Sequence, residues 1–256
     1  MLSSHNNIIN EDFYKAITSA VNSDLLSDLN FSYSDENSFN CDTSGSQNFV
    51  DLSVFHLNVR SLNKNHNNLH NFLANLELSF DVIVLSEVWN HNLTLYHDLF
   101  TGYTFYHDIC AHSQVGGIGV YIKNSLGCSV LDNLKLKSTE NNTIENLWFE
   151  INNGNTKYIL GALYRHPNQN IDEFTKLLDD NLSDISKAHV PCVIAGDINI
   201  DLSNYTLHKP TTEYVNNLLI NNFLPVVVMP TRYIPTPPQL LSIIFITLKE
   251  KTVNVM

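Results

Sequence analysis

The sequence predicts a mixed α/β fold with one hydrophobic core that begins near Phe49 and continues to the end of the chain. Two observations lead to this prediction. Short apolar runs typical of strands alternate with longer stretches in which apolar residues recur at helical spacing. No unit of roughly 20 to 50 residues repeats, which argues against a solenoid. Because 43% of the 256 residues are apolar, the chain can bury a substantial core.

The elements follow one another in mixed order along this core. The candidate strands are, in chain order, LSVFHLN, FDVIVLSEV, IGVYI, LWFEI, YILGALY, CVIAGDIN and PVVVM. Three stretches between them place apolar residues on one helical face, and these extend from His66 to Leu78, from Ile171 to Ile185 and from Thr212 to Asn221. We therefore expect strands and helices within a single domain.

The first 48 residues have a different composition. They are rich in Ser, Asn and Asp and contain seven acidic residues against one lysine. Such a composition is typical of a mobile segment, so we expect residues 1–48 to be an acidic, loosely ordered leader and residues 49–256 to form the folded domain. The whole chain carries a net charge of −12, which gives no general attraction to DNA, RNA or anionic lipid. A nucleic-acid function would need a local binding site.

Cysteine usage and hydropathy indicate where the protein works. The four cysteines are scattered without a CxxC pair, which is typical of reduced thiols in an intracellular protein. The N-terminus lacks the basic and long apolar parts of a signal peptide, and the longest apolar runs are too short to cross a bilayer. We expect a soluble, intracellular, monomeric protein that does not bind membranes.

Polar side chains follow four of the candidate strands. Asn58 ends the first strand, Glu87 follows the second, Tyr164 ends a later one, and VIAGDIN delivers Asp197 and Asn199. Residues two apart in an extended chain point to the same side, so Asp197 and Asn199 can face one metal ion or phosphate, although Gly, Asp and Asn also form ordinary turns. A carboxylate directly after a buried strand is costly to desolvate, which makes Glu87 a candidate metal ligand or an ordinary charged turn residue.

The ordered motifs LNVRSLN, LSEVW, GGIGVYIKN, LYRHPNQ, AGDINIDL and MPTRYIP together resemble the endonuclease/exonuclease/phosphatase family. Within it, they are most similar to the endonuclease domain of non-LTR (LINE-type) retrotransposons, and the resemblance covers roughly residues 49–248. It implies a two-sheet α/β sandwich of the DNase I-like kind, with a Mg²⁺ site between the ends of the sheets at which Mn²⁺ could substitute. It also implies hydrolysis of a phosphodiester in DNA as the activity.

The resemblance also implies a role for each strand-end residue. Glu87 would be the principal metal ligand, with Asn58 beside it. Asp197 would orient or deprotonate the attacking water, and Asn199 and Tyr164 would contact the scissile phosphate. The residue types suit this chemistry, because hard divalent cations prefer oxygen ligands and keep several waters.

Other residues are assigned with less specificity. Arg60, Arg165 and Arg232 are candidates for contacts with the DNA backbone, and the alternative for Arg165 and Arg232 is pairing with acidic residues. Gly116 and its neighbours match a family turn rather than a phosphate-binding loop, because no GK[ST] follows. His166 stands where the family pattern has proline, so we expect it to be tolerated rather than catalytic.

The C-terminal part departs from the family pattern. LLSIIFITL resembles a family strand that carries an aspartate, but Ser242 stands at that position, and Met256 ends the chain before the family's final SDH element. We therefore expect a domain without its final strand and an impaired endonuclease, which would act in the nucleus if its substrate is genomic DNA. Two alternatives remain: a phosphatase acting on lipids or small phosphoesters, and a catalytically inactive DNA-binding or interaction remnant.

Overall fold

The computed structural model describes residues 52–76, 79–89, 92–110, 113–137, 143–226, 244–248 and 254–255. The expected leader, residues 1–48, lies outside these ranges, as do Arg232 and Ser242. The strands in chain order are β1 (Leu52–Asn58), β2 (Val82–Ser86), β3 (Tyr103–Asp108), β4 (Ile118–Lys123), β5 (Gly127–Val130), β6 (Ile144–Asn153), β7 (Thr156–Arg165), β8 (Cys192–Asp197), β9 (Phe223–Leu224), β10 (Ile244–Leu248) and β11 (Asn254–Val255). The helices are α1 (Leu62–Asn75), α2 (Ile171–Ala188) and α3 (Lys209–Ile220).

The described strands form two sheets. The first sheet has the order β10-β1-β2-β4-β3 and the second has the order β5-β6-β7-β8-β11-β9. The two sheets and their helices make an α/β sandwich, which confirms the predicted fold class. Within the described ranges, no helix is long and apolar enough to cross a membrane.

Two hydrophobic clusters fix the layers of the sandwich. Phe55 and Leu57 belong to a cluster in which one face of the first sheet packs against Leu62 and Leu69 of α1. Val54, which alternates with them along β1, belongs to the larger cluster that joins the first sheet to the second sheet and its helices. This alternation is what the two-residue period of a strand requires when both faces are covered.

The strand register brings several chain segments to one end of the sandwich. β1 runs parallel to β2, with Asn58 opposite Ser86. β7 runs parallel to β8, with Tyr164 opposite Asp197. β6 is antiparallel to β7, so the first residues of β6, including Glu145, also lie at this end. The polar residues at the ends of four strands therefore meet.

The helix boundaries follow local capping. α1 begins earlier than predicted because Ser61 caps it, its side chain accepting a hydrogen bond from the backbone of Lys64. α2 begins at the predicted residue, capped by Asn170 and supported by acidic residues in its first turn. The strands β3 and β5 were not predicted, because both lie at sheet edges and expose many of their side chains. The predicted strand PVVVM falls largely outside the described residues.

Gly196 is required where β8 approaches β7. Its φ is +145°, and an added Cβ would lie 1.8 Å from the carbonyl oxygen of Leu163 on the neighbouring strand. No side chain fits at that distance without displacing the β7 backbone. The glycine before Asp197 is therefore fixed by the close approach of two parallel strands.

We expect Gly196→Ala to lower the free energy of unfolding by at least about 3 kcal/mol, because the clash is with backbone rather than with a flexible side chain. Urea denaturation monitored by circular dichroism would measure the change. Gly154→Ala is a matched control: it also has positive φ, but nothing lies within 4 Å of an added Cβ, and it should cost about 1 kcal/mol. Equal losses in the two variants would contradict this account.

Candidate functional site

Asn58 joins carboxylates from the two sheets. Its side-chain Nδ2 donates to Glu87 Oε1 at 2.8 Å and to Asp197 Oδ2 at 2.9 Å. Glu87 follows β2 of the first sheet and is only 8% exposed, whereas Asp197 ends β8 of the second sheet. Two carboxylate oxygens thus lie within hydrogen-bond distance of a single nitrogen. The structure brings together three of the residues that the sequence predicted for the site.

A row of polar side chains extends from Asp197 across the second sheet. Tyr164 lies opposite Asp197 on β7, and Glu145 lies opposite Tyr164 on β6. Directly opposed residues share a face of a sheet, so this row faces the first sheet, where Asn58 lies. Tyr164, which was predicted from the sequence, is therefore next to Asp197, and Glu145 is a further member that was not predicted.

The backbone around Glu87 is strained. Arg60, Ser61, Glu87 and Trp89 all have positive φ, between 43° and 82°. Backbone hydrogen bonds fix this conformation: Ser61 donates to Glu87 at 2.8 Å and Trp89 donates to Gly116 at 3.0 Å. Each such residue costs on the order of 1–3 kcal/mol and persists where the surrounding structure determines it, a feature that clusters at functional sites.

Arg165 is buried at 1% exposure and holds the loops that follow β7 and β8. Its Nε donates to the carbonyl of Ile198 at 2.6 Å, Nη1 to that of Gln169 at 2.6 Å, and Nη2 to that of Asn199 at 2.5 Å. Burial lowers the pKa of Arg165, and the nearby Tyr214, Asp197 and Tyr164 oppose that shift. Its guanidinium thus faces backbone carbonyls of the described loops, and the predicted contact of Arg165 with DNA stays a prediction.

Asn199 completes this arrangement. Its Nδ2 donates to the carbonyl of Arg165 at 2.8 Å, and its backbone N–H donates to Asp197 Oδ1 at 3.1 Å. With φ of +50°, Asn199 turns the chain back toward the carboxylate. Asn199 thus orients Asp197, and its predicted contact with a phosphate stays a prediction. Of the other predicted DNA contacts, Arg60 is exposed beside the site, and Arg232 is not among the described residues.

A buried histidine beneath the site was not predicted from the sequence. His56 is buried in β1, and its Nε2 lies 2.8 Å from Ser86 Oγ, whereas Nδ1 has no hydrogen-bond partner within the described residues. Burial lowers the pKa of His56 to about 4, despite the opposing charge of Asp197. The available signal was its position two residues before Asn58, which places both on the same face of the strand.

The donor set can be tested against the divalent cation that the sequence implied. Within the ranges described, no three acidic, histidine or cysteine side chains converge as a ready-made metal site. Glu87 and Asp197 instead offer two hard anionic groups, and Asn58 donates its Nδ2 to both while its neutral Oδ1 accepts from the backbone N–H of Arg60 at 3.3 Å. Mg²⁺ is bound in proteins by one or two carboxylates plus substrate phosphates while keeping several waters, so these residues fit it.

The fold and the site together define a class of protein: an α/β sandwich with an acidic, amide-containing centre where the ends of the two sheets meet. Residues 38–240 match the model of the Endonuclease/Exonuclease/phosphatase family. Because this match covers more than half of the chain, the protein belongs to the endonuclease/exonuclease/phosphatase family. Members are typically hydrolytic enzymes, nucleases or phosphatases, and generally use divalent metals.

Several solved structures, of proteins with different activities, are similar to the chain. D. rerio TDP2 complexed with single strand DNA product is 20% identical, with a TM-score of 0.46 over 60% of this chain. The match spans 63% of the TDP2 chain, less than two thirds of its length. The endonuclease domain of TRAS1, a telomere-specific non-LTR retrotransposon, is 13% identical, with a TM-score of 0.49 over 67% and 72%. The Bacteroides thetaiotaomicron mannosyl-6-phosphatase Bt3783 is 13% identical, with a TM-score of 0.46 over 64% and 70%. No curated protein matches the chain.

We expect His56 to make stability depend on pH. Because its pKa is lower in the folded state than the ordinary value of 6.5, the unfolded chain binds a proton that the folded protein does not. The contribution of His56 to the free energy of unfolding is fully present above pH 6.5 and falls, by on the order of 3 kcal/mol, as the pH drops toward about 4.

Urea denaturation in EDTA between pH 7.5 and pH 4.5 would measure this loss. His56→Gln cannot titrate but can still donate toward Ser86, so its stability should change less over the same interval. Parallel stability curves for the variant and the parent would show that His56 does not carry the effect.

Proposed function

We propose that the protein is a metal-dependent phosphodiesterase that nicks DNA, as the endonuclease of a non-LTR retrotransposon does. The observation that carries the proposal is the pairing of Glu87 and Asp197, from opposite sheets, through the amide of Asn58. Carboxylates placed this close repel one another unless a cation or donors lie between them. A site built in this way suits a cation and the anionic phosphate that the cation attracts. If the substrate is genomic DNA, the protein acts in the nucleus.

Each residue has a role in this hydrolysis. Glu87 and Asn58 would hold Mg²⁺, or Mn²⁺ in its place, which supplies charge stabilisation to the phosphoryl oxygens when it is bound. Asp197 accepts the proton of the attacking water, and its carboxylate is held in place by Asn58 and by the backbone of Asn199. Water attacks the phosphorus, the P–O bond to the leaving sugar oxygen breaks, and that oxygen takes up a proton. Tyr164, next to Asp197, would contact the same phosphate.

The rim of the site supports a polymeric substrate. Trp89, two residues beyond Glu87, is 39% exposed and is held with φ of +52° by its hydrogen bond to Gly116. Arg60 is exposed on the adjacent strand-end loop. An exposed indole offers a stacking surface for a base, and an exposed guanidinium offers a contact to a backbone phosphate. Because the net charge of −12 gives no general attraction to DNA, binding of DNA would depend on local features such as these two.

Two other functions use parts of the same arrangement. A phosphatase acting on lipids or small phosphoesters needs the acidic centre but not the exposed indole. An inactive DNA-binding or interaction domain needs the rim but not a metal. These functions differ in whether changes at Glu87 and Trp89 alter metal binding, turnover or DNA affinity.

We expect Glu87→Gln to weaken Mn²⁺ binding at least tenfold, because it removes the charge of the principal ligand while keeping its shape. Titration with Mn²⁺ monitored by electron paramagnetic resonance gives the affinity without turnover. Glu213→Gln, at an exposed position on α3, is the matched control and should bind Mn²⁺ as the parent does. In parallel, relaxation of supercoiled plasmid with Mg²⁺ should be lost in Asp197→Asn. Equal Mn²⁺ affinity in Glu87→Gln and the parent, or nicking that survives Asp197→Asn, would exclude the proposed roles.

We expect Trp89→Ala to raise the KM for a DNA oligonucleotide about tenfold, since stacking of a base on an aromatic side chain contributes roughly 1–3 kcal/mol. Hydrolysis of bis(p-nitrophenyl) phosphate should change less than twofold, because that substrate has no nucleobase. Leu95→Ala removes another exposed apolar side chain, 72% exposed, and should change neither KM. A phosphatase of small substrates is indicated instead if Trp89→Ala and the parent have the same KM for DNA.

A further inference from the structure

Glu145 is a buried carboxylate that the proposed hydrolysis does not use. It is 2% exposed and is the end member of the row that contains Tyr164 and Asp197. Its Oε1 lies 3.1 Å from Nε2 of His166, whereas its Oε2 is buried and has no hydrogen-bond partner within the described residues. A buried carboxylate with one oxygen unsatisfied is costly unless a cation accompanies it.

His166 is confined on three sides. Glu145 binds its Nε2, and the ring of Tyr164 lies 4.9 Å away in an edge-to-face arrangement. On the third side is Gly116, where an added Cβ would lie 2.6 Å from His166 Cε1 and 2.8 Å from Nε2. The imidazole thus occupies space that any other residue at position 116 would take. His166 keeps 18% of its side-chain surface exposed, so a ligand in the cleft can reach it.

The charge of this pair follows from its surroundings. If Glu145 is ionised, a neutral imidazole leaves a buried negative charge uncompensated, whereas an imidazolium neutralises it and still has Nδ1–H to donate. The cleft otherwise contains the carboxylates of Glu87 and Asp197, and the guanidinium of Arg165 is engaged by backbone carbonyls. Among the described residues that line the Tyr164 side of the cleft, His166 is therefore the one that can offer a positively charged donor to an entering phosphate.

We propose that His166 is a phosphate-binding residue of this site and that the buried Glu145 holds it in its cationic form and in position. The proposal rests on the proposed function, because it assigns His166 to the phosphate whose ester bond is hydrolysed. It goes beyond that function by naming a donor outside the set that the sequence predicted. In this arrangement His166 contacts the substrate, and Glu145 is a positioning residue that acts through it.

The test measures phosphate binding without turnover. Isothermal titration of the full chain with inorganic phosphate in the presence of Mg²⁺ should give affinities about tenfold weaker in His166→Gln and in Glu145→Gln, because a hydrogen bond to a charged group is lost. His166→Lys keeps a cation beside Glu145 and should lose less than His166→Gln. His189→Asn is the matched control: His189 is exposed in a left-handed turn after α2, next to the start of β8 rather than its Asp197 end, and its phosphate affinity should equal that of the parent.

The outcomes separate this proposal from the proposed function. Nicking of supercoiled plasmid is measured on the same variants in parallel, so turnover and phosphate binding are read independently. Thermal unfolding of every variant shows whether it is folded. If His166→Gln does not fold, the double variant Glu145→Gln/His166→Gln, which replaces the charge pair with two amides, takes its place. Parental phosphate affinity in a folded variant that lacks the imidazole overturns the proposal, and so does a parent that nicks DNA but binds no inorganic phosphate.

Discussion

The candidate site depends on the contacts of one buried guanidinium. The loops after β7 and β8 have left the sheet, so their carbonyl groups need donors from elsewhere. Arg165 provides them through three hydrogen bonds that its planar, many-donor group can make at once. Asn199 returns a hydrogen bond to the Arg165 carbonyl and another to Asp197. The orientation of the Asp197 carboxylate therefore depends on Arg165, whose guanidinium donates to these backbone carbonyls.

The fold concentrates two unfavourable features at this end of the sandwich. Glu87 and Glu145 are carboxylates with less than a tenth of their surface exposed, and Asp197 lies between them in space. Around them, non-glycine residues adopt positive φ at four positions near Glu87 and at Asn199. Both features lower stability locally and persist because the two hydrophobic clusters stabilise the strands that carry them. Proteins retain such features where function requires them.

The sequence was sufficient to predict the fold class and the convergence of Asn58, Glu87 and Asp197, because polar residues at the ends of buried strands meet at one edge of a sheet. It was not sufficient for Arg165. Strand alternation places Arg165 on the face opposite Tyr164, but the carbonyls that surround it belong to loops whose path no local pattern specifies. Glu145 was missed because its place beside Tyr164 depends on the register of the β6–β7 hairpin.

The location of the unfavourable features determines how a cation would act on this protein. A ligand that binds only the folded state adds RT ln(1 + [L]/Kd), or about 2.7 kcal/mol at a hundredfold excess over Kd. That is similar to the order of 1–3 kcal/mol that one strained backbone position costs. Charge repulsion and strain both lie at the strand ends, whereas the side chains of the clusters that contain Phe55 and Val54 are largely apolar and offer few oxygen ligands. A bound cation would therefore stabilise the loops that contain Glu87 and Asn199 directly, and the core only through their attachment to it.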